Sequence, residues 1–329
     1  MQSKKGTILS GMRPTGKLHL GNLFGALENW AKLQDEYRCF FCVVDWHALT
    51  TAYEETENIR GNVKEMVIDW LSCGIDPEKS VIFKQSDVKE HAELHLLLSM
   101  ITPLSWLERV PTYKEQLKQI EGRNLATYGF LGYPLLQAAD ILLYKADAVP
   151  VGEDQAPHIE FTREVARRAN HLYNKAIFPE PATILNEYKV VPGLDNRKMS
   201  KSYDNIIEIS IPPEKILERV RMMITDPGRM RKSDPGNPEI CSIYAFHRIF
   251  NAAGLSGIEG SCRAGAIGCV ECKKDLSGWM QKFLAPVYDR RRELENNPRV
   301  IDEILEEGRK KAVKVARKTM EEVRLAMGV

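Results

Sequence analysis

The chain has 329 residues, 43% hydrophobic and 28% charged, which allows one large or two ordinary cored domains and excludes a disordered polypeptide. Its 46 Lys and Arg against 45 Asp and Glu leave a formal charge of +1, so a nucleic-acid surface can arise only from local clustering. No secretory segment follows Met-Gln-Ser-Lys-Lys and no apolar run is long enough to span a membrane, so a cytoplasmic protein with reduced thiols is expected.

The first informative stretch is Ile8 to Asn22. A short apolar run breaks at Gly11, turns through Pro14-Thr15-Gly16 and reopens as a helix start. That pattern predicts a strand–turn–helix junction. Such a junction aims backbone N–H groups and the positive end of a helix dipole at one point, where a phosphate can sit. Lys17, His19 and Asn22 add polar side chains there. An ordinary strand-to-helix turn is the plainer reading of these residues.

Further apolar runs lie at Cys39 to Val44, Val81 to Phe83 and Ala148 to Val151. Helical patterns fill 22–34, 54–73 and 88–100. The alternation predicts βαβ units and an α/β fold with a parallel, Rossmann-like sheet. Asp76-Pro77 and Pro179 to Pro181 read as loops. The pattern changes after Pro192-Gly193 and is helical from about Ile211. This divides the chain into a sheet domain over 1–190, a loop and linker over 191–210, and a helical region over 211–329. The stretch Arg299 to Met327 reads as one amphipathic helix packing back on the first domain. Its basic face includes Arg309, Lys310, Lys314, Arg317 and Lys318.

Three features need a chemical reason. Lys198-Met199-Ser200-Lys201-Ser202 places two ammonium groups and two hydroxyls in one loop, which suits a polyphosphate on which charge develops. An exposed polar loop is the plainer reading. Asp140 sits inside Leu135-Leu136-Gln137-Ala138-Ala139-Asp140-Ile141-Leu142-Leu143-Tyr144. A carboxylate in such a run needs a donor. Either a nearby group supplies it or the ligand does, and an indole N–H is a pure donor. Finally, Val149-Pro150-Val151-Gly152-Glu153-Asp154-Gln155 ends a strand at glycine and opens the helical pattern 157–170 with acids. Ligands bind at such strand ends in open α/β sheets, although acids in a first turn also serve the helix dipole.

The seven cysteines fall into two groups. Cys39 and Cys42 lie in an apolar strand and, with Cys73, read as buried packing. Cys241, Cys262, Cys269 and Cys272 lie in a glycine-rich segment with little hydrophobic reason to fold, and a four-thiolate centre would supply one. Structural zinc usually shows two paired knuckles. One pair and two single cysteines favour a 4Fe-4S cluster, with zinc and then free thiols as the alternatives. Nearby Arg219, Arg221, Arg229, Arg231 and Lys232, like the final helix, are candidates for RNA phosphate contacts.

Lys198 to Ser202 is the full KMSKS signature of class I aminoacyl-tRNA synthetases, and His19-Leu20-Gly21-Asn22 stands where their HIGH signature belongs. With Gly11-x-x-Pro14-Thr15-Gly16, Asp45-Trp46-His47-Ala48, the Ala-Ala-Asp-Ile-Leu-Leu-Tyr segment and Pro-Val-Gly-Glu-Asp-Gln in that order, the whole chain resembles the tryptophanyl-tRNA synthetase family. Tyrosyl-tRNA synthetase is the nearest alternative, and a non-catalytic paralogue the next.

The resemblance implies activation of L-tryptophan by ATP with Mg²⁺ and transfer to tRNA(Trp), on a homodimer. It implies that Arg13, Pro14, Thr15, His19, Gly21 and Asn22 serve ATP. Gly152, Glu153 and Asp154 hold its adenosine, with Val191 near the adenine. Lys198, Met199, Ser200, Lys201 and Ser202 close on the nucleotide, Lys198, Lys201 and Arg13 as the catalytic cations. It implies that Asp140 accepts the indole N–H, and that Tyr133, Gln155, His47, Leu9, Gln137, Val149 and Val151 surround tryptophan. A subset of the bacterial family carries a 4Fe-4S cluster on cysteines of similar spacing. Arg13 and His19 replace a Gln and a Thr of many members, while Leu9 and Gln137 replace larger or more apolar residues.

Overall fold

The computed structural model describes residues 4–111, 127–185 and 191–329. The chain divides into two compact units. One comprises 1–16, 28–187 and 297–329, the other 17–27 and 188–296. This differs from contiguous domains meeting at 190–211 in that the helix start at 17–27 belongs with the second unit, while the last helix groups with the first.

The first unit is built on a parallel sheet of β1 (Thr7–Met12), β2 (Arg38–Val43), β3 (Ser80–Lys84), β4 (Ala148–Val151) and β5 (Ala182–Leu185), in the order β3-β2-β1-β4-β5. Adjacent side chains point to opposite faces, and both faces of β2 are covered. Phe41 stacks on Trp30 at 4.6 Å, and Trp30 meets Trp70 edge-on at 5.3 Å. Those indoles come from helices Glu28–Glu36 and Ile59–Ser72. On the other face Phe40 stacks on Tyr144 at 4.7 Å, just past helix Tyr133–Leu143. Continuous apolar strands are what a sheet buried on two sides requires.

β5 was not foreseen. It is a four-residue edge strand, Ala-Thr-Ile-Leu, with no fully buried residue, and it follows prolines that read as a loop. Helix Asp45–Ala52 also precedes the helix expected over 54–73, which begins at Ile59. Cys39 and Cys42 are buried in β2, and burial pushes the Cys39 thiol up to about 12. Cys73, expected among them, is only partly buried at the end of its helix.

Helix Pro298–Met327 lies against β3. Ala312, Ala316 and Met320 are fully buried, and Arg324 pairs with Glu93 at 2.6 Å. At Gly308 the helix comes so close that a Cβ would lie 1.7 Å from the carbonyl oxygen of Ile82.

In the second unit the short helix Leu20–Asn22 continues into a π turn, Leu23–Leu27. Phe24 there packs on Phe250 at 5.5 Å and Phe283 at 5.8 Å. Those rings belong to helices Ser242–Phe250 and Cys269–Glu295; Ile216–Met222 and Leu255–Arg263 complete the helical set. No helix among the described residues is long and apolar enough to cross a membrane.

Gly308→Ala should lower the stability of the folded chain by at least about 2 kcal/mol, because the helix must leave β3. Gly278→Ala, in a helix where an added Cβ meets nothing within 4 Å, should stabilise by up to about 1 kcal/mol. Denaturant unfolding of the two variants checks the contrast.

Candidate functional site

Four parallel strands deliver the sheet unit's polar residues to their carboxyl ends. β1 leads to Arg13, Pro14 and Thr15, β2 to Asp45 and His47, β3 to Gln85, and β4 to Gly152 through Gln155. Gly11 is needed at this exit, since a Cβ would meet Val44 Cγ1 at 2.8 Å. Arg13 and Thr15 are exposed and Pro14 is buried. Glu153 and Asp154 are exposed on a single turn before helix Ala156–Leu172, and Gln155 Nε2 donates to Asp154 Oδ2 at 3.1 Å.

Asp140 is 2% exposed, and its donors come from the protein. Oδ1 accepts from Gln85 Nε2 at 2.8 Å and His91 Nδ1 at 2.6 Å. Oδ2 accepts from His47 Nε2 at 2.9 Å and shares Gln85 Nε2 at 2.9 Å. The expectation that its donor is missing until a ligand arrives is therefore corrected. Helix Glu90–Ser99, the end of β3 and helix Asp45–Ala52 already supply three donors. A ligand without an N–H would not leave this carboxylate orphaned.

Burial alone would raise the Asp140 pKa. The neighbouring charge of His91 and the hydrogen bonds from His47 and His91 outweigh it and hold the carboxyl well below its ordinary value. An ionised Asp140 only accepts, so the facing nitrogens of both histidines carry protons. His91 Nε2 meets the Tyr144 hydroxyl at 2.9 Å.

The structure brings His47 edge-on to Tyr133, ring centroids 5.7 Å apart. Tyr133 and Gln137 both meet His158 Nδ1, at 3.0 and 2.8 Å. Burial lowers the His158 pKa to about 4, so this imidazole is neutral at pH 7. Leu9, Val149 and Val151 are buried in the surrounding apolar core. Gln155 makes its bond to Asp154 instead of to this group.

The second unit holds the lysine loop and the His19 turn. Leu20 N donates to Ile207 O and Ile209 N to Leu18 O, which ties the two segments together. Asn22 Oδ1 accepts from His19 N at 3.0 Å. His19 Nδ1 is buried without a hydrogen-bond partner. Burial, then the charge of Lys201, lowers its pKa to about 4, so the ring is neutral and short of one partner. At Gly21 a Cβ would come within 2.9 Å of that ring.

Met199 is buried and its N–H donates to Val191 O, also buried, while Pro192 bridges Lys198. Asn205 organises the loop: its Nδ2 donates to Asp195 Oδ1 and Lys198 O, and its Oδ1 accepts from Ser200 N at 2.8 Å. Only glycine fits at 193, because a Cβ would lie 2.3 Å from the Asn205 amide. Lys198 and Ser202 are left exposed, and Lys201 is half-buried.

Also in the second unit, the thiols of Cys241, Cys262, Cys269 and Cys272 sense one another electrostatically. Burial, then those neighbours, pushes Cys272 up to about 12. Arg229 Nη1 lies 3.9 Å from both Cys262 Sγ and Cys269 Sγ. His247 Nε2 lies 3.5 Å from Cys272 Sγ. Among the described residues no three His, Cys, Asp or Glu side chains converge as a site for a metal ion.

Comparison with known proteins decides the family. The model of the tRNA synthetases class I (W and Y) matches residues 1–285. The tryptophan--tRNA ligase of Thermotoga maritima is 54% identical over 325 residues, spanning 98% of this chain and 99% of that protein. The chain belongs to the tryptophanyl-tRNA synthetase family. The Aquifex aeolicus tryptophan--tRNA ligase is 47% identical over 98% of this synthetase and 99% of its own length. The tryptophanyl-tRNA synthetase of Campylobacter jejuni, solved with ADP and tryptophan, superposes with a TM-score of 0.89 at 34% identity, covering 98% of this chain and 100% of that one.

Sequence reasoning about this synthetase missed Gln85, His91, Tyr144, His158 and Asn205. Gln85 had a signal, as the first residue past β3; His91 looked like one polar residue in a helix.

The buried His158 gives a pH test. The unfolded chain binds its proton below about 6.5, and the folded chain only near 4. Between those values the unfolded state holds more protons, so stability falls as pH falls. His158→Gln should flatten that slope by up to one proton, about 1.4 kcal/mol per pH unit. An unchanged slope in urea unfolding across pH 4–6.5 would refute the assignment.

Proposed function

We propose that this chain activates L-tryptophan with ATP and charges tRNA(Trp), with the roles that follow. Tryptophan's carboxylate attacks the α-phosphorus, a new P–O bond forms, and pyrophosphate leaves. The terminal ribose hydroxyl of tRNA then attacks the acyl carbon, and AMP leaves. Neither step needs a covalent protein nucleophile. Positioning and charge stabilisation suffice, and the chain's lysines, arginine, glycines and amides provide them.

The observation that carries this reading is the pairing in one unit of a neutral, partner-short His19 with Lys201 and the Asn205-braced loop. We assign Lys198 and Lys201, with Ser200 and Ser202, to the phosphates, beside His19, Gly21 and Asn22. Met199 and Val191 serve the base. In the sheet unit Gly152, Glu153 and Asp154 serve the adenosine, and Arg13, Pro14 and Thr15 the α-phosphate side. Mg²⁺ rides on the phosphates and water. Tyr133, Gln137, Gln155 and His47 face the amino acid, walled by Leu9, Val149 and Val151. Asp140 takes the indole N–H in exchange for His47, which is freed toward the amino acid. We place the enzyme in the cytoplasm, as a homodimer.

Tryptophan-dependent exchange of label between pyrophosphate and ATP tests the reaction without tRNA. Lys198→Ala with Lys201→Ala should reduce exchange by at least about 100-fold, with tryptophan and not tyrosine supporting the wild-type rate. Full activity in the double variant would end the proposed role of the loop.

Cys241, Cys262, Cys269 and Cys272 are proposed to hold a 4Fe-4S cluster. A single zinc ion needs its sulfurs about 2.3 Å from one point, whereas each thiolate of a cluster binds its own iron and tolerates wider spacing. Helix Leu255–Arg263, which carries one of the four, has no fully buried residue, so apolar packing alone holds it weakly. When bound, the cluster would crosslink these segments. Anaerobically purified protein should contain about four irons and four acid-labile sulfides per chain, both lost in Cys262→Ser. Iron-free protein would overturn the assignment.

A further inference from the structure

One strongly basic cavity of the sheet unit has no part in the chemistry above. It encloses about 1250 Å³ and is lined by eight Lys and Arg side chains against two Glu. It opens at the amino ends of the strands, by Thr7 at the start of β1 and Arg38 at the start of β2. Arg13, His47, Gln85 and Gly152 follow the opposite, carboxyl ends. A chain of net charge +1 has therefore gathered six excess positive charges in one groove.

Ion pairs account for part of that charge. Lys145 is matched by Glu322 at 2.5 Å and Arg317 by Glu90 at 3.3 Å. Lys310 shares Glu307 with its neighbour, at 3.8 and 3.9 Å. Arg38, Lys314 and Lys318 are exposed and have no carboxylate partner among the described residues. Arg38 rests on the face of Phe40, 5.0 Å from the ring centroid. Lys310, Lys314 and Lys318 stand at i, i+4 and i+8 on helix Pro298–Met327. Like charges so spaced repel one another, a strain that an external polyanion relieves. The row runs about 12 Å along the helix axis. It is too long for a single phosphate, and the cavity exceeds the roughly 300–1,000 Å³ of ordinary small-molecule pockets. A helix of exposed lysines alone would be a solvated face. Here the row lines a groove that Arg38 and Lys145, cations from other elements, line as well.

We propose that this groove binds the phosphodiester backbone of the tRNA substrate, as a sequence-independent contact away from the reacting atoms. The proposal rests on the tRNA-charging function, and adds where the sheet unit holds the nucleic acid. Backbone contacts of this kind give affinity and register without reading bases.

The test uses the full-length protein with Arg38, Lys314 and Lys318 all changed to Gln, and Lys314→Gln plus Lys318→Gln as a milder second variant. Both should keep wild-type tryptophan-dependent pyrophosphate exchange, which involves no tRNA and reports the fold. For the triple variant the Kd for tRNA(Trp) at low salt should rise at least about tenfold. The slope of log affinity against log salt should flatten by about 2–3 units, close to one per phosphate contact removed. The KM for tRNA in aminoacylation should rise, with the tryptophan KM unchanged. Unchanged tRNA affinity and salt slope in exchange-competent variants would overturn the proposal. So would loss of inorganic tripolyphosphate binding with tRNA binding intact, which would mark a small-anion pocket. Failure of exchange in the wild type would count instead against the function itself.

Discussion

A buried negative charge sets the terms for the sheet unit. Asp140 lies in helix Tyr133–Leu143 with almost no solvent contact, and an uncompensated carboxylate there would cost several kcal/mol. His47, Gln85 and His91 reach it from three different segments, after β2, after β3 and on the helix Glu90–Ser99. A donor that left without a replacement would expose the charge to apolar surroundings. The same helix end is gripped by rings, with Tyr144 against Phe40 at 4.7 Å and Phe83 at 5.3 Å. Polar satisfaction and apolar packing thus fix one arrangement together, and they fix it where parallel strands deliver ligand-binding residues.

The second unit solves a different problem with different means. Its loop from Val191 to Asn205 has little apolar surface beyond Val191, Leu194 and Met199, and is shaped by hydrogen bonds to one asparagine and by a glycine that lets that asparagine approach. A loop so braced can present Lys198 to solvent while keeping its backbone set. The cysteine-bearing helix Leu255–Arg263 has no fully buried residue.

The alternation of strands and helices was legible because strands buried on two faces are continuous apolar runs. β5 was not, being short and half-exposed at an edge. The placement of 17–27 depends on Phe24 touching rings more than two hundred residues away, which no local pattern encodes. Asp140 stood out in its apolar run, but its donors lie 93, 55 and 49 residues distant. That is why the sequence suggested a missing donor where the fold supplies three. Likewise the KMSKS loop was plain and Asn205 was not, since its role is visible only once the loop folds back to bridge Pro192 with Lys198. The groove beside the last helix was half legible: the basic stripe showed, but Arg38 and Lys145, which make it concave, are brought by other elements.

The central claim is that the charge on Asp140 serves the amino acid and not the nucleotide. Asp140→Asn keeps the shape of the side chain and removes the charge, and pyrophosphate exchange separates the two substrates. The KM for tryptophan should rise roughly 10- to 100-fold, the worth of one hydrogen bond to a charged group, while the KM for ATP stays within about twofold. Equal rises for both substrates, or none for tryptophan in a variant that still unfolds cooperatively, would contradict the account.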